Sequence, residues 1–132
     1  MGGVGTRRML AADPVAVEAR LRTACLALPQ TDEIVSHGIP AFRVAGKMFA
    51  YYRPDHHGDG ATAVCLTTTG RDEQEMLMAA DSDLFSWPAY IGPSGWIAMS
   101  LADEDLDWTH VEARLLSSWR LAAPKRLLKI SS

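Results

Sequence analysis

Cationic and aromatic side chains are interleaved along one short stretch, and together they have the chemistry of a nucleic-acid surface. Arg43, Lys47 and Arg53 lie close together in the chain, with Tyr52 among them. Guanidinium and ammonium groups neutralise backbone phosphates, and an aromatic ring offers a face on which a base can stack. A solvated sheet surface with ordinary charges is the simpler alternative. The stretch therefore supports two interpretations, and its residue types do not choose between them.

A second group of cations lies at the end of the chain. Residues 113–132 carry five basic side chains and no acid, whereas residues 70–112 carry ten acids and one basic side chain, Arg71. Arg120, Lys125 and Arg126 would extend a phosphate-binding surface if they shared a face with the first group. They would also balance the negative end of the last helix and the acidic segment before it. The charge pattern favours this second role.

Large aromatic residues between positions 87 and 96 suggest a different site. Trp87, Tyr90 and Trp96 could line a cleft together with His37 and Phe42. Trp and Tyr line pockets where one end of the side chain stays polar, although in such numbers they more often complete a core. His37, which precedes a glycine, would also suit a simple backbone turn. A cleft for a small molecule or a partner protein is therefore the alternative to nucleic-acid binding.

Patterns typical of anion sites, catalytic sites and metal sites are weak. The run Thr-Thr-Thr-Gly-Arg at residues 67–71 could hold an anion at a helix start, but a plain helix cap, with Thr69 and Asp72 as a capping box, is favoured. Cys25 and Cys65 lie in apolar surroundings and are predicted to be small buried side chains. His56, His57 and Asp59 could supply three metal ligands, but loop clusters this compact are usually solvated. We expect a non-enzymatic protein without a cofactor or a bound metal.

Helices and strands of ordinary length are predicted to position these residues. Apolar spacing predicts a first helix that begins at Asp13 and Pro14, with Val17, Leu21 and Cys25 on its buried stripe. Strands are expected over residues 30–36, on both sides of an Ala45-Gly46 turn, over residues 61–68 and over residues 95–101. A helix is expected over residues 69–80, with Met76, Leu77 and Ala80 inward. Another is expected before Pro124, with Val111, Leu115 and Trp119 inward.

This order, α-β-β-β-β-α-β-α, predicts a two-layer α+β fold in which helices cover one face of an antiparallel sheet. Strict alternation in the strand after Gly46 groups Phe49 with Tyr51 on one face, and sets Ala50 and Tyr52 on the other. In the last strand, alternation sets residues 96, 98 and 100 on one face and residues 97, 99 and 101 on the other.

Size and composition are those of one ordinary globular domain. The chain has 132 residues, 48% hydrophobic content and a net charge of −3. We expect residues 1–12 to be a flexible N-terminal segment and residues 13–128 to form the domain. No apolar run approaches the roughly 18–20 residues that a membrane span needs. We therefore expect a cytoplasmic protein that has no membrane partner.

Four short motifs occur in order along the chain. They are Leu-Ala-Leu-Pro at residues 26–29, His-Gly-x-Pro-Ala-Phe-Arg-Val at 37–44 with Gly-Lys-Met-Phe at 46–49, Trp-Pro-x-Tyr at 87–90 with Gly-Trp-Ile at 95–97, and Ser-Trp-Arg-x-x-Ala-Pro-Lys-Arg at 118–126. Together they resemble the MmcQ/YjbR family of small bacterial proteins. The resemblance implies a two-layer α/β fold and a DNA-binding role that rests on a pair of wing-like hairpins. Many members carry an Asn-Lys pair between the tyrosine and the second tryptophan, whereas residues 91–94 here carry no cation.

Two functional hypotheses follow from the sequence. The first is a weak, sequence-tolerant DNA-binding module that uses Arg43, Lys47, Tyr52, Arg53, Arg120, Lys125 and Arg126. The second is a module that binds a small molecule or a partner protein in an aromatic cleft lined by His37, Phe42, Trp87, Tyr90 and Trp96.

Overall fold

The computed structural model describes residues 13–54 and 62–131, and these ranges contain four α-helices, one 3₁₀ helix (Gly92–Ser94) and six strands. The helices are α1 (Pro14–Leu26), α2 (Arg71–Ala80), α3 (Trp108–Ala122) and α4 (Lys125–Ser131). The strands are β1 (Thr31–Ser36), β2 (Ile39–Val44), β3 (Lys47–Arg53), β4 (Ala63–Thr67), β5 (Phe85–Ser86) and β6 (Trp96–Ser100). The predicted order holds with three additions, which are the short strand β5, the 3₁₀ helix between β5 and β6, and the helix α4 that follows Pro124.

The strands form one sheet in the order β1-β2-β3-β4-β6-β5, and every neighbouring pair is antiparallel. The strand β5 lies within the long connection predicted for residues 81–95 and pairs Phe85 with Met99. Only two residues pair there, which is too little for hydrophobic alternation to predict. The α+β class and the antiparallel sheet that were predicted are confirmed.

Local signals set the helix starts and the hairpin turns. The side chain of Asp13 accepts a hydrogen bond from the Val15 N–H at 3.1 Å, and Pro14 occupies the first turn, as predicted for α1. Ala45 and Gly46 both have positive φ, at 49° and 85°, which is the type I′ geometry that tight hairpins favour.

All four helices pack on the same face of the sheet. Each contributes to one core, through Leu21, Leu77, Leu115 and Leu127, respectively. The strand side chains in that core include Phe42, Val44, Leu66, Ile97 and Met99. We call the opposite side of the sheet the open face; its residues are Asp32, Ile34, Ala41, Arg43, Met48, Tyr51, Arg53, Cys65, Trp96 and Ala98.

A β-bulge in β3 changes which side chains reach the open face. Phe42 pairs with Ala50 but Arg43 pairs with Met48, so that Phe49 is an extra residue. Beyond the bulge, Ala50 and Tyr52 lie in the core with Phe49, while Tyr51 lies on the open face. The alternation predicted from the sequence, with Phe49 and Tyr51 together, is therefore wrong because a one-residue insertion exchanges the two faces.

Among the described residues, no helix combines the length and the apolar character that crossing a bilayer requires.

Candidate functional site

Two aromatic rings lie side by side on the open face. The ring centroids of Tyr51 and Trp96 are 4.9 Å apart, with an angle of 50° between the ring planes. Their strands, β3 and β6, are separated by β4, so the two side chains must lean toward each other over the small residues between them. Cys65 and Ala98, which pair in that row, are fully buried although they lie on the open face. The aromatic pair is thus a continuous apolar platform.

Two arginines share the open face with this platform. Arg53 lies two residues after Tyr51 in β3, and successive side chains of a strand alternate between faces, so both point the same way. Arg43 lies near the edge of the sheet, where its Nε donates to Asp32 at 3.0 Å. Because of the Arg43 hydrogen bond, the pKa of Asp32 is below its usual range, and the carboxylate offsets the charge of Arg43. Arg53 makes no ion pair with another described residue.

Tyr52 was predicted to stack on bases, and the structure places it elsewhere. Its side chain is 3% exposed, and its hydroxyl donates to the Pro14 carbonyl at 3.4 Å. The bulge at Phe49 turns this ring into the core, which leaves no ring face for a base. Tyr51, its neighbour in β3, lies on the open face instead and is half-buried.

The two predicted groups of cations do not share a face. Arg43 and Arg53 lie on the open face, whereas Arg120, on α3, and Lys125 and Arg126, on α4, are exposed in the helical layer. Lys47, exposed beside the hairpin turn, pairs with Val44, whose side chain belongs to the helix-covered core. A single ligand on the open face would therefore meet two of these cations and miss the helical ones.

Both cysteines are buried and poorly suited to nucleophilic chemistry. Burial raises the pKa of the Cys65 thiol to about 11, and it raises the pKa of Cys25 further. The thiolate is the reactive form of cysteine, so a raised pKa removes reactivity at neutral pH.

We expect neither thiol to react with Ellman's reagent in the native protein at about pH 8, where roughly one Cys65 in a thousand is ionised. In concentrated urea, both thiols should react. Tyr51→Ala should expose Cys65 and speed its labelling, while Cys25, in the helical core, should stay protected. Rapid labelling of one equivalent in the unmodified native protein would show that the aromatic pair does not cover Cys65.

A cleft of about 310 Å³ lies where β4 leads into α2. Its lining residues are Thr68, Thr69, Gly70, Arg71, Gln74, Trp87, Pro93, Ser94 and Gly95. The Trp87 indole packs directly on Gly92, where an added Cβ would lie 2.3 Å from a ring atom. The Arg71 guanidinium lies 5.2 Å from the centroid of the same ring. Trp87 thus lies between the backbone of Gly92 and the guanidinium of Arg71, whose Nε donates to Glu75 at 2.9 Å.

Gln74 is the one buried polar side chain of α2 and connects the cleft to the sheet. It is 2% exposed, and its Nε2 donates to the carbonyls of Gly92 and Trp96 at 2.8 and 2.7 Å. This helix position was predicted to be outside the buried stripe, and Met76, predicted inward, is 59% exposed. The two carbonyls explain the difference, because a buried amide is stable where acceptors meet it.

The predicted capping contact at the start of α2 involves a different carboxylate. Glu73, not Asp72, accepts hydrogen bonds from the Thr69 N–H at 2.8 Å and from the Thr69 hydroxyl at 3.1 Å. Glu73 also accepts from Arg114 of α3 at 3.0 Å. Burial alone would raise the pKa of Glu73, but the hydrogen bonds from Thr69 and Arg114 outweigh it, and the pKa is lowered.

The predicted aromatic cleft is not assembled as a unit. Trp87 lines the cleft described above, and Trp96 contributes its carbonyl there while its ring lies on the open face. Phe42 is a core residue, 1% exposed, and His37 occupies the β1–β2 turn at the other end of the sheet. Tyr90 is 97% exposed. The sequence therefore missed Tyr51 on the platform and Gln74 in the cleft, because neither has a local signal.

Within residues 13–54 and 62–131, no group of three or more His, Cys, Asp or Glu side chains could hold a metal ion. The cluster His56, His57 and Asp59 lies outside the described residues.

Comparison with known proteins supports the resemblance seen in the sequence. A family model described as YjbR matches residues 26–121. The fold is similar to the crystal structure of Deinococcus radiodurans protein DR2400, which has a domain of the DUF419 family. The TM-score is 0.65 at 20% sequence identity, over 79% of this chain and 76% of the other. At that identity, the likeness establishes the fold alone. No curated protein matches the chain.

Proposed function

The chain belongs to the YjbR family, and from that premise we propose that it is a non-enzymatic protein that binds single-stranded nucleic acid on the open face of its sheet. The binding is weak and tolerant of sequence. The observation that carries this proposal is the pair of half-buried rings, Tyr51 and Trp96, in contact on a sheet face that also carries Arg43 and Arg53.

The geometry of the platform favours single strands over a duplex. Bases in a duplex are stacked on one another, so their faces are not accessible to a protein ring. Unpaired bases can be splayed onto a sheet whose aromatic side chains point outward. Because every base has a π-face, stacking of this kind discriminates little between sequences.

The charge of the open face limits the affinity. Arg53 is the main cation beside the platform, and Arg43 shares its charge with Asp32. Release of counterions from a single strand contributes a slope of about −0.7 in log K against log salt for each neutralised phosphate. Two arginines therefore give a slope of about −1.4.

We expect a fluorescently labelled oligo(dT) to bind with higher affinity than a duplex of the same length in an anisotropy titration. Raising the salt from about 50 to 200 mM should weaken the binding about sevenfold, which is the effect of that slope. Arg53→Gln should weaken binding and roughly halve the slope, since it removes one of two phosphate contacts.

Arg120→Gln is the matched control, because it removes the same charge from the helical layer. It should leave both the affinity and the slope unchanged. Absence of oligo(dT) binding at low salt, or equal losses in the Arg53 and Arg120 variants, would contradict a site on the open face.

A further inference from the structure

The cleft at the start of α2 lies apart from the aromatic platform and has no role in the function proposed above. Its walls combine hydrogen-bonding groups, a guanidinium and an indole ring, which is the composition of a small-ligand site rather than of a packing defect.

Gln74 provides the observation that points to a ligand. Its Nε2 donates to two carbonyl oxygens, so the orientation of the amide is determined and Oε1 must be the remaining atom. Oε1 accepts no hydrogen bond from a described residue. Among the described side chains, the one fully buried polar atom without a hydrogen-bond partner is Nε of Arg114. Oε1 of Gln74 also has no partner, so it must be accessible to solvent. A buried side chain that lines the cleft therefore presents an open acceptor to it.

Hydrogen-bond donors converge on the same cleft from the end of α2. The first backbone N–H groups of a helix have no partner within the helix. Here the N-cap residue is Gly70, which has no side chain to accept from them, and Glu73 is turned back toward Thr69 and Arg114. The N–H groups of the first turn, together with the Arg71 guanidinium, form a site for a negatively charged group.

Charge and shape restrict what that group can be. Asp72 and Glu75 are exposed beside Arg71, so a dianionic phosphate would be repelled more strongly than a carboxylate with a single charge. The Trp87 ring and Pro93 supply an apolar wall. One small ligand that fills the cleft would therefore carry three different groups. A hydrogen-bond donor would meet Gln74 Oε1, a singly charged anionic group would meet the α2 N-terminus, and an apolar group would pack on the Trp87 ring.

We infer that this cleft binds a monocarboxylate that also carries an N–H donor and an apolar side group. The carboxylate lies at the α2 N-terminus beside Arg71, the N–H donates to Gln74 Oε1, and the side group packs on Trp87. This chemistry is shared by the free C-terminus of a peptide and by an N-acylated amino acid.

The test is a titration of ¹⁵N-labelled protein with N-acetyl-phenylalanine, followed by NMR. We expect shifts at the backbone amides of Arg71 and Asp72, at the Gln74 side-chain amide and at the Trp87 indole. A Kd on the order of 1 mM is expected for a ligand of this size. The corresponding carboxamide, N-acetyl-phenylalaninamide, should bind at least about tenfold more weakly, because it lacks the charge.

Arg71→Gln should weaken binding of the acid about fivefold to tenfold and leave binding of the carboxamide nearly unchanged. Arg20→Gln is the matched control, since Arg20 lies 4.8 Å from the Trp108 ring centroid in a similar pair elsewhere. Trp87→Leu should weaken both ligands. Equal affinities for the acid and the carboxamide, or no shifts at these groups up to about 10 mM, would overturn the inference.

A tripeptide that ends in phenylalanine distinguishes the two sources of this chemistry. Tighter binding than N-acetyl-phenylalanine would indicate a peptide C-terminus, and equal binding would indicate a small metabolite; both outcomes support a carboxylate site. Loss of oligo(dT) binding in the Arg53 test would not affect these titrations, so the two proposals fail independently.

Discussion

Replacing both Tyr51 and Trp96 by alanine is expected to weaken the binding of single-stranded oligonucleotide by at least about 30-fold. Each stacked base contributes roughly 1–3 kcal/mol by alanine substitution, and the two rings offer one stacking surface each. The expected loss of at least about 2 kcal/mol exceeds the effect of either arginine. The measurement is the anisotropy titration at low salt, where the wild-type affinity is highest.

Tyr90→Ala is the matched aromatic control, because Tyr90 is 97% exposed and makes no ring contact with Tyr51 or Trp96. Its affinity should equal that of the wild type. Far-ultraviolet circular dichroism and thermal melts should accompany the double variant, since the two rings also cover Cys65 and Ala98. A folded double variant that binds oligo(dT) like the wild type would refute the stacking platform, and so would an equal loss in Tyr90→Ala.

The parts of the fold that could be predicted from the sequence depend on local patterns. The stripes Val17, Leu21, Cys25 and Val111, Leu115, Trp119 repeat at helical spacing, and all six residues are buried. In β6 the alternation of residues 96–101 was also predicted correctly. Each of these patterns lies within one helix or one strand, so it can be recognised in the sequence without knowledge of tertiary contacts.

The position of the aromatic platform could not be predicted, because the bulge that creates it depends on a distant residue. Ser118 Oγ donates to the Phe49 carbonyl at 2.6 Å and accepts from the Thr67 N–H at 2.9 Å. These backbone groups of β3 and β4 lie just beyond Ala50 and Leu66, the last residues that pair between the two strands. The serine on α3 satisfies them, and buried backbone groups must be satisfied. Nothing near residue 49 indicates this partner.

Gln74 and Glu73 show the same limit on a smaller scale. The apolar spacing of α2 predicted Met76 inward, but the carbonyls of Gly92 and Trp96 draw Gln74 into the buried position instead. The helix cap was predicted one residue too early, at Asp72, because Arg114 of α3 pairs with Glu73. In both cases, a tertiary contact decides between neighbouring residues that have similar local propensities.

Two of the four motifs that carried the family resemblance meet in a single hydrogen bond of the core. The indole Nε1 of Trp119 donates to the Pro29 carbonyl at 3.0 Å, joining the motif at residues 118–126 to that at residues 26–29. Trp119 is fully buried and is the largest such side chain in the described core. These motif residues therefore hold α3 against the end of α1, which is a structural role.

Trp119→Ala is accordingly expected to lower the free energy of unfolding by about 3–5 kcal/mol, through lost burial and the cavity that remains. Small domains have about 5–15 kcal/mol in total, so this variant will be marginally folded. Trp119→Phe keeps an aromatic ring but removes the indole hydrogen bond to the Pro29 carbonyl, which then keeps only the longer one from the Thr31 hydroxyl at 3.3 Å; the expected cost is about 0.5–1.5 kcal/mol. Urea denaturation followed by circular dichroism measures both changes without relying on tryptophan fluorescence.

Leu121→Ala is the control on the same helix, because Leu121 is 44% exposed and its loss should change the free energy of unfolding by about 0.5 kcal/mol or less. A Trp119→Ala variant within about 1 kcal/mol of the wild type would contradict the central place of this side chain in the core. Since Trp119 lies in the helical layer and the platform lies on the opposite face, Trp119→Phe should keep its affinity for oligo(dT) at temperatures where it is folded. Substitutions on the helix-covered face should therefore change the free energy of unfolding, whereas substitutions on the open face should change the affinity for oligo(dT).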